Sequence, residues 1–156
     1  MKISKIIGSA LLVLASAYSY ANHHIFNFSG QGEWKSLTCA HKGTYSVEVK
    51  VEKHLDGMTL FEQYRFSEDK TMEVVLRLTE DENGLMTVYK NNEVVGEGYC
   101  FEGEGKKTCH LDYQTDGMHV EKTIHKVGMS VFRLGSIKGE HKHLKFRDKL
   151  ELDMKD

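Results

Sequence analysis

The stretch "TCHLDYQTDGMHVEKTIH", Thr108 to His125, decides the fold of this chain. Asp116-Gly117 in its middle is turn chemistry, since both residue types tolerate the positive φ that a two-residue hairpin loop requires. With those two residues as the loop, Gln114 stands opposite His119 and Tyr113 opposite Val120. One face of the pair then carries Thr108, His110, Asp112, Gln114, His119, Glu121, Thr123 and His125. The other carries Cys109, Leu111, Tyr113, Met118, Val120 and Ile124. So clean a split predicts an antiparallel hairpin with one wet face and one buried face.

The same two-residue period runs outward from this hairpin. Tyr45, Val47, Val49 and Val51 alternate with Ser46, Glu48, Lys50 and Glu52. "LDGM" at Leu55 to Met58 turns the chain, and Met58, Leu60, Tyr64 and Phe66 continue it, with Glu62 interrupting their face. Met72, Val74, Leu76 and Leu78 follow. "ENG" at Glu82 to Gly84 signals a type I′ hairpin. "KNNE" sets Lys90 opposite Glu93, a favourable cross-strand charge pair. Further strands are expected over Val94 to Phe101, Lys107 to Gln114, Met118 to Val127, Ser130 to Ile137 and His143 to Leu152. Val127 to Leu134 is ambiguous and also fits a short helix. No proline is present, so glycine, asparagine and aspartate make the turns. Turn signals near every ten residues predict an all-β, antiparallel up-and-down barrel of about 8–10 strands, closed because closure removes exposed edges. A β-sandwich is the alternative.

The first 21 residues read as a secretory signal peptide. Lys2 and Lys5 precede the apolar run Ile6 to Ala15, and Ser19-Tyr20-Ala21 supplies small residues for cleavage after Ala21, with Ala15-Ser16-Ala17 as a second site. Residues 22–156 then form a single domain. Of 156 residues, 135 remain, carrying 19 basic against 23 acidic side chains, a net charge of −4. A mildly acidic chain without a basic block is a poor match to nucleic acid, and no stable membrane insertion is expected after cleavage. The expected location is secreted or periplasmic. Three cysteines in an oxidising compartment imply one disulfide and one free thiol. Cys100 and Cys109 flank "FEGEGKKT"; with Gly103 to Lys106 as a four-residue loop they face each other across a hairpin, at a spacing a disulfide can bridge. Cys39 is then expected as a buried free thiol, although a bridge from Cys39 to either partner also satisfies the count.

The chain's single tryptophan lies in "GQGEWKSLTC", Gly30 to Cys39. Gly32-Glu33-Trp34 resembles the Gly-x-Trp signature that opens the first strand of lipocalins and related calycin barrels, and Asp112-Tyr113 resembles the Asp-Tyr pair of a second lipocalin region. The resemblance implies a barrel whose base is closed by the indole, with Gly32 and Trp34 structural. It also implies a basic side chain from a late strand stacked on that ring: Arg147 first, Arg133 second. The chain departs from the family in lacking a long helix after the eighth strand.

The resemblance and the apolar faces together point to an exported binding protein holding a small hydrophobic or amphipathic ligand. Its expected cavity wall is Tyr45, Val47, Val49, Leu60, Tyr64, Leu76, Leu78, Leu111, Tyr113 and Val120, apolar surfaces with occasional hydroxyls. The alternative is a protein-binding module, such as a periplasmic inhibitor of a lysozyme-type hydrolase. No enzyme is expected: Gly-x-Ser-x-Gly, His-Glu-x-x-His and phosphate-cradling glycine loops are all missing. Cleavage after Ala21 would begin the mature chain Asn22-His23-His24, where a free amine and a third-position histidine can wrap Cu or Ni in a square plane; a solvated tail is the alternative. His110, His119 and His125 share the wet face with Asp112 and Glu121; a plain solvated sheet face is expected there, with a surface metal site as the alternative.

Overall fold

The computed structural model describes residues 25–154. Ten strands follow in order: β1 (Ile25–Ser36), β2 (Lys42–His54), β3 (Gly57–Ser67), β4 (Lys70–Glu80), β5 (Leu85–Lys90), β6 (Glu93–Gly103), β7 (Lys106–Thr115), β8 (Met118–Val127), β9 (Ser130–Lys138) and β10 (His143–Leu152). Each pairs antiparallel with its neighbour in sequence, and β10 pairs with β1 to close the barrel. The sandwich alternative falls on that closure. The short-helix alternative also falls: Val127 to Leu134 runs from the end of β8 through a turn into β9, where Val131 faces inward and Phe132 outward.

Local turn chemistry sets the registers. Asn91 and Asn92 both have positive φ, as do Glu104 with Gly105 and Asp116 with Gly117. These paired left-handed residues make two-residue hairpin loops whose twist matches the strands they join. Gln114 opposes His119, Tyr113 opposes Val120 and Lys90 opposes Glu93. The β6–β7 loop is shorter than expected, because Gly103 pairs with Lys106, but the register is unchanged: Cys100 opposes Cys109 and the two form a disulfide. The "ENG" hairpin closes differently. The Asp81 carboxylate accepts from the backbone N–H groups of Asn83 and Leu85, and only Gly84 of that loop is left-handed.

The loops after β1, β3, β5, β7 and β9 lie at one end of the barrel, where β1 ends shortly after Trp34. Side chains in the half away from that end, among them Val51, Met58, Leu78, Met86, Val88, Ile124, Val131 and Leu150, are at most 2% exposed. They pack into one core. The shortest ladder is β4–β5, with four pairs joining Arg77–Glu80 to Met86–Tyr89, so Lys70–Leu76 pairs with β3 alone. Among the described residues no helix is long and apolar enough to cross a membrane.

Candidate functional site

Four charged side chains meet inside the barrel: Glu62 of β3, Lys122 of β8, Arg133 of β9 and Asp148 of β10, each at most 6% exposed. Strand alternation puts them there, since each occupies an inward position of an otherwise apolar series. The Arg133 guanidinium grips Asp148 with two bonds, Nε to Oδ1 at 2.9 Å and Nη2 to Oδ2 at 2.8 Å. Its Nη1 donates to Glu62 Oε2 at 2.7 Å. Lys122 Nζ donates to both Glu62 oxygens at 3.3 Å. Two tyrosines complete the set: Tyr45 donates to Asp148 at 2.8 Å and Tyr64 to Glu62 at 3.1 Å.

Two carboxylates and two cations balance, so the centre carries no net charge. Burial acts to raise the pKa of Glu62, but Lys122 and Arg133 outweigh it and hold the carboxyl at about 2. Burial pulls Lys122 and Arg133 down; the facing acidic groups overcome that and raise both above their ordinary values. Burial pushes Tyr64 up to about 12 and raises Tyr45 as well, with Asp148 adding to the latter. These groups keep their protonation states across neutral pH, so the cluster acts as a fixed polar partition.

That partition divides the expected cavity wall. Val47, Val49, Leu60, Leu76, Leu78 and Leu111 lie level with the charges or beyond them, are at most 2% exposed, and pack in the core. Tyr45, Tyr64, Tyr113 and Val120 lie at the charges or on the Trp34 side and retain 3–8% exposure. Toward the Trp34 end stand half-buried apolar side chains from five strands, Trp34, Phe66, Val95, Ile137 and Phe146, with the half-buried Val74 opposite Glu62 at the level of the charges. Val95 joins them because a register shift between β5 and β6 leaves it unpaired. Glycines seat the aromatics. A Cβ on Gly43 would lie 2.8 Å from Trp34 Nε1, and one on Gly135 would lie 2.8 Å from the Phe146 ring. Gly32 likewise makes room for the Tyr45 ring. Tyr45 and Tyr64 meet edge to face at 5.6 Å, and Phe66 lies against both. The result is an apolar mouth with a tyrosine floor.

Several expectations change. Arg147 does not stack on Trp34: it opposes Glu33 in the β1–β10 register, points outward between the inward Phe146 and Asp148, and pairs with the Glu33 carboxylate. Arg133 does point inward, but its guanidinium lies 5.8 Å from the Tyr64 ring and is held by Glu62 and Asp148. Cys39 is an exposed free thiol, not a buried one, because it lies in the β1–β2 loop beyond the last inward position. Asn22, His23 and His24 lie outside the described residues. Asp112 and Tyr113 part company, Asp112 outward toward His119 and Tyr113 into the floor. Outside the barrel, a groove of about 370 Å³ crosses β1 to β4 beside Ser29, Glu48, Phe61 and Glu73, and Lys50 reaches over the Phe61 ring at 4.4 Å.

No family model and no curated relative matches the sequence. Among solved structures the chain is similar to the crystal structure of Rv2717c from M. tuberculosis, at 13% identity and a TM-score of 0.56, over 90% of this chain and 97% of that one. At that identity the likeness is one of fold: a closed antiparallel barrel of ten strands, consistent with the calycin type.

Proposed function

We propose that this protein is an exported, lipocalin-like binding protein that takes a small amphipathic molecule in the Trp34 mouth of its barrel. The observation that carries this reading is the distribution of burial. Most apolar side chains in the far half are sealed, with Cys100 and Leu152 the half-buried exceptions, whereas Trp34, Phe66, Val95, Ile137 and Phe146 toward the other end are all only half-buried. Apolar side chains beside a few tyrosine hydroxyls are the usual lining of a small-molecule site. The partition beneath it narrows the ligand class. Arg133 is already saturated by two carboxylates, so an anionic head would have to compete with Glu62 or Asp148 for it. A neutral polar head needs only tyrosine hydroxyls. The ligand is therefore an apolar body with an uncharged polar end, seated shallowly.

The test is a titration of the protein with straight-chain alcohols and the matching fatty acids, read by Trp34 emission. Alcohols should shift the emission to the blue and saturate at one per chain. Ile137→Glu, which places a charge in the mouth, should abolish the shift. No response to any of these probes, together with a bare mass for protein recovered from its producing cells, would overturn the reading.

A second reading, a module that docks on another protein such as a basic lysozyme-type hydrolase, draws on the outer surface. Tyr99, Phe101, Phe132 and Leu134 are 38–52% exposed on strands β6 and β9, more apolar surface than an isolated barrel needs to show. A stable complex with lysozyme that Tyr99→Ser and Phe101→Ser together abolish, with Ile137→Glu harmless, would favour it over the carrier.

A further inference from the structure

The wet face of the β7–β8 hairpin carries a charge pattern that strand pairing alone does not favour. Glu97 of β6 opposes Asp112 of β7, and Asp112 opposes Glu121 of β8, so three carboxylates run side by side across three strands. Like charges placed directly opposite destabilise a sheet. The next position in the row, on β9, is Ser136, which brings no compensating charge. Lys138 stands opposite His119 in the register, yet among the described residues neither it, Glu97 nor Glu121 forms an ion pair.

A nitrogen donor sits beside this row. His119 Nε2 is hydrogen-bonded to Asp112 Oδ1, so a ring nitrogen and a carboxylate oxygen already aim at one point. Ligand atoms of Asp112, His119 and Glu121 all lie within 4.8 Å of one another. A cation bonded at about 2.0–2.2 Å to N and O donors holds such atoms about 3–3.5 Å apart. Closing the present set to that spacing takes side-chain rotation only, because the two-residue Asp116-Gly117 loop fixes the strands. We propose that Asp112, His119 and Glu121 form a divalent transition-metal site on the outside of the barrel, of the zinc class. The two carboxylates are hard donors that many divalent ions accept, but the imidazole is a borderline donor and selects the zinc class over Ca²⁺ or Mg²⁺, which take oxygen. Water completes the shell at this exposed position. The ion replaces the His119–Asp112 hydrogen bond and neutralises the two opposed carboxylates.

Chelator-stripped protein titrated with zinc chloride near neutral pH tests this by calorimetry, with His119→Gln and Glu121→Gln alongside. One Zn²⁺ per chain is expected, weakened in each variant by at least about tenfold, the loss that removing even an outer partner of a ligand brings. Equal binding by wild type and both variants would overturn the site, the ion then sitting elsewhere, for instance on His23 or His24. In the wild type alone, zinc should move the His119 ring-nitrogen resonance before those of the other histidines. A His119 signal unmoved at saturating zinc would overturn the proposal whatever the variants do.

Discussion

Glu62 interrupts the inward series Met58, Leu60, Tyr64 and Phe66, and the barrel is built around that interruption. Its carboxylate holds Lys122 on one side and Arg133 on the other. Glu62→Ala leaves two buried cations without their shared partner and should cost about 3–5 kcal/mol of unfolding free energy, measured by chemical denaturation. The anomaly was legible: Glu62 breaks an apolar face, and Lys122 falls in the dry register of the hairpin from Thr108 to His125. Their pairing was not, because strand spacing says which way a side chain points but not which residue 60 or more positions away it meets. Trp34 shows the same limit. Its inward position at a barrel end followed from the Gly-x-Trp resemblance, whereas its actual seat is Gly43 rather than an arginine. Gly43→Ala should push the indole toward solvent, shifting its emission to the red and costing about 1–3 kcal/mol. An unchanged spectrum would mean the ring is not seated there.

Among the elements, the hairpins were the most readable, since turn type depends on two adjacent residues. Asp116-Gly117 and Asn91-Asn92 fix their registers through positive φ alone, and the Cys100–Cys109 bridge followed from such a register. The strands' outer faces misled where family likeness overrode alternation: Arg147 follows inward-facing Phe146 and so must point out, toward Glu33. β4 is the uneven element. Its second half is paired on both sides and its first half, Lys70–Leu76, on one. Native-state hydrogen exchange should therefore find fast-exchanging amides among Lys70–Leu76 that face away from β3, while those of Arg77–Glu80 stay protected. Uniform protection along β4 would contradict the short β4–β5 ladder.

For the whole molecule, the closed sheet and the charge partition make one account. Closure pairs every strand on both sides over part of its length, leaving early β4 and the end of β6 among the stretches paired on one side only, and four balanced charges fill the middle of a barrel whose far half is already packed. Acid stability follows. The folded pKa of Glu62, about 2, lies below its ordinary 4.5, so folding favours the ionised form. The stabilisation is complete above about 4.5 and is lost as the pH falls toward 2, on the order of 3 kcal/mol over that window. Lys122 works in the opposite sense: its raised pKa keeps its contribution intact up to at least 10.5. Denaturation curves from neutral pH down to 2 should thus fall steeply in the wild type and less so in Glu62→Gln.

The partition itself is tested most directly by the side-chain carboxyl resonance of Glu62, followed by carbon-13 NMR from neutral pH downward. The account predicts an ionised carboxylate until the pH approaches about 2. A midpoint above the ordinary carboxyl value would place Glu62 unpaired in an apolar interior and contradict it.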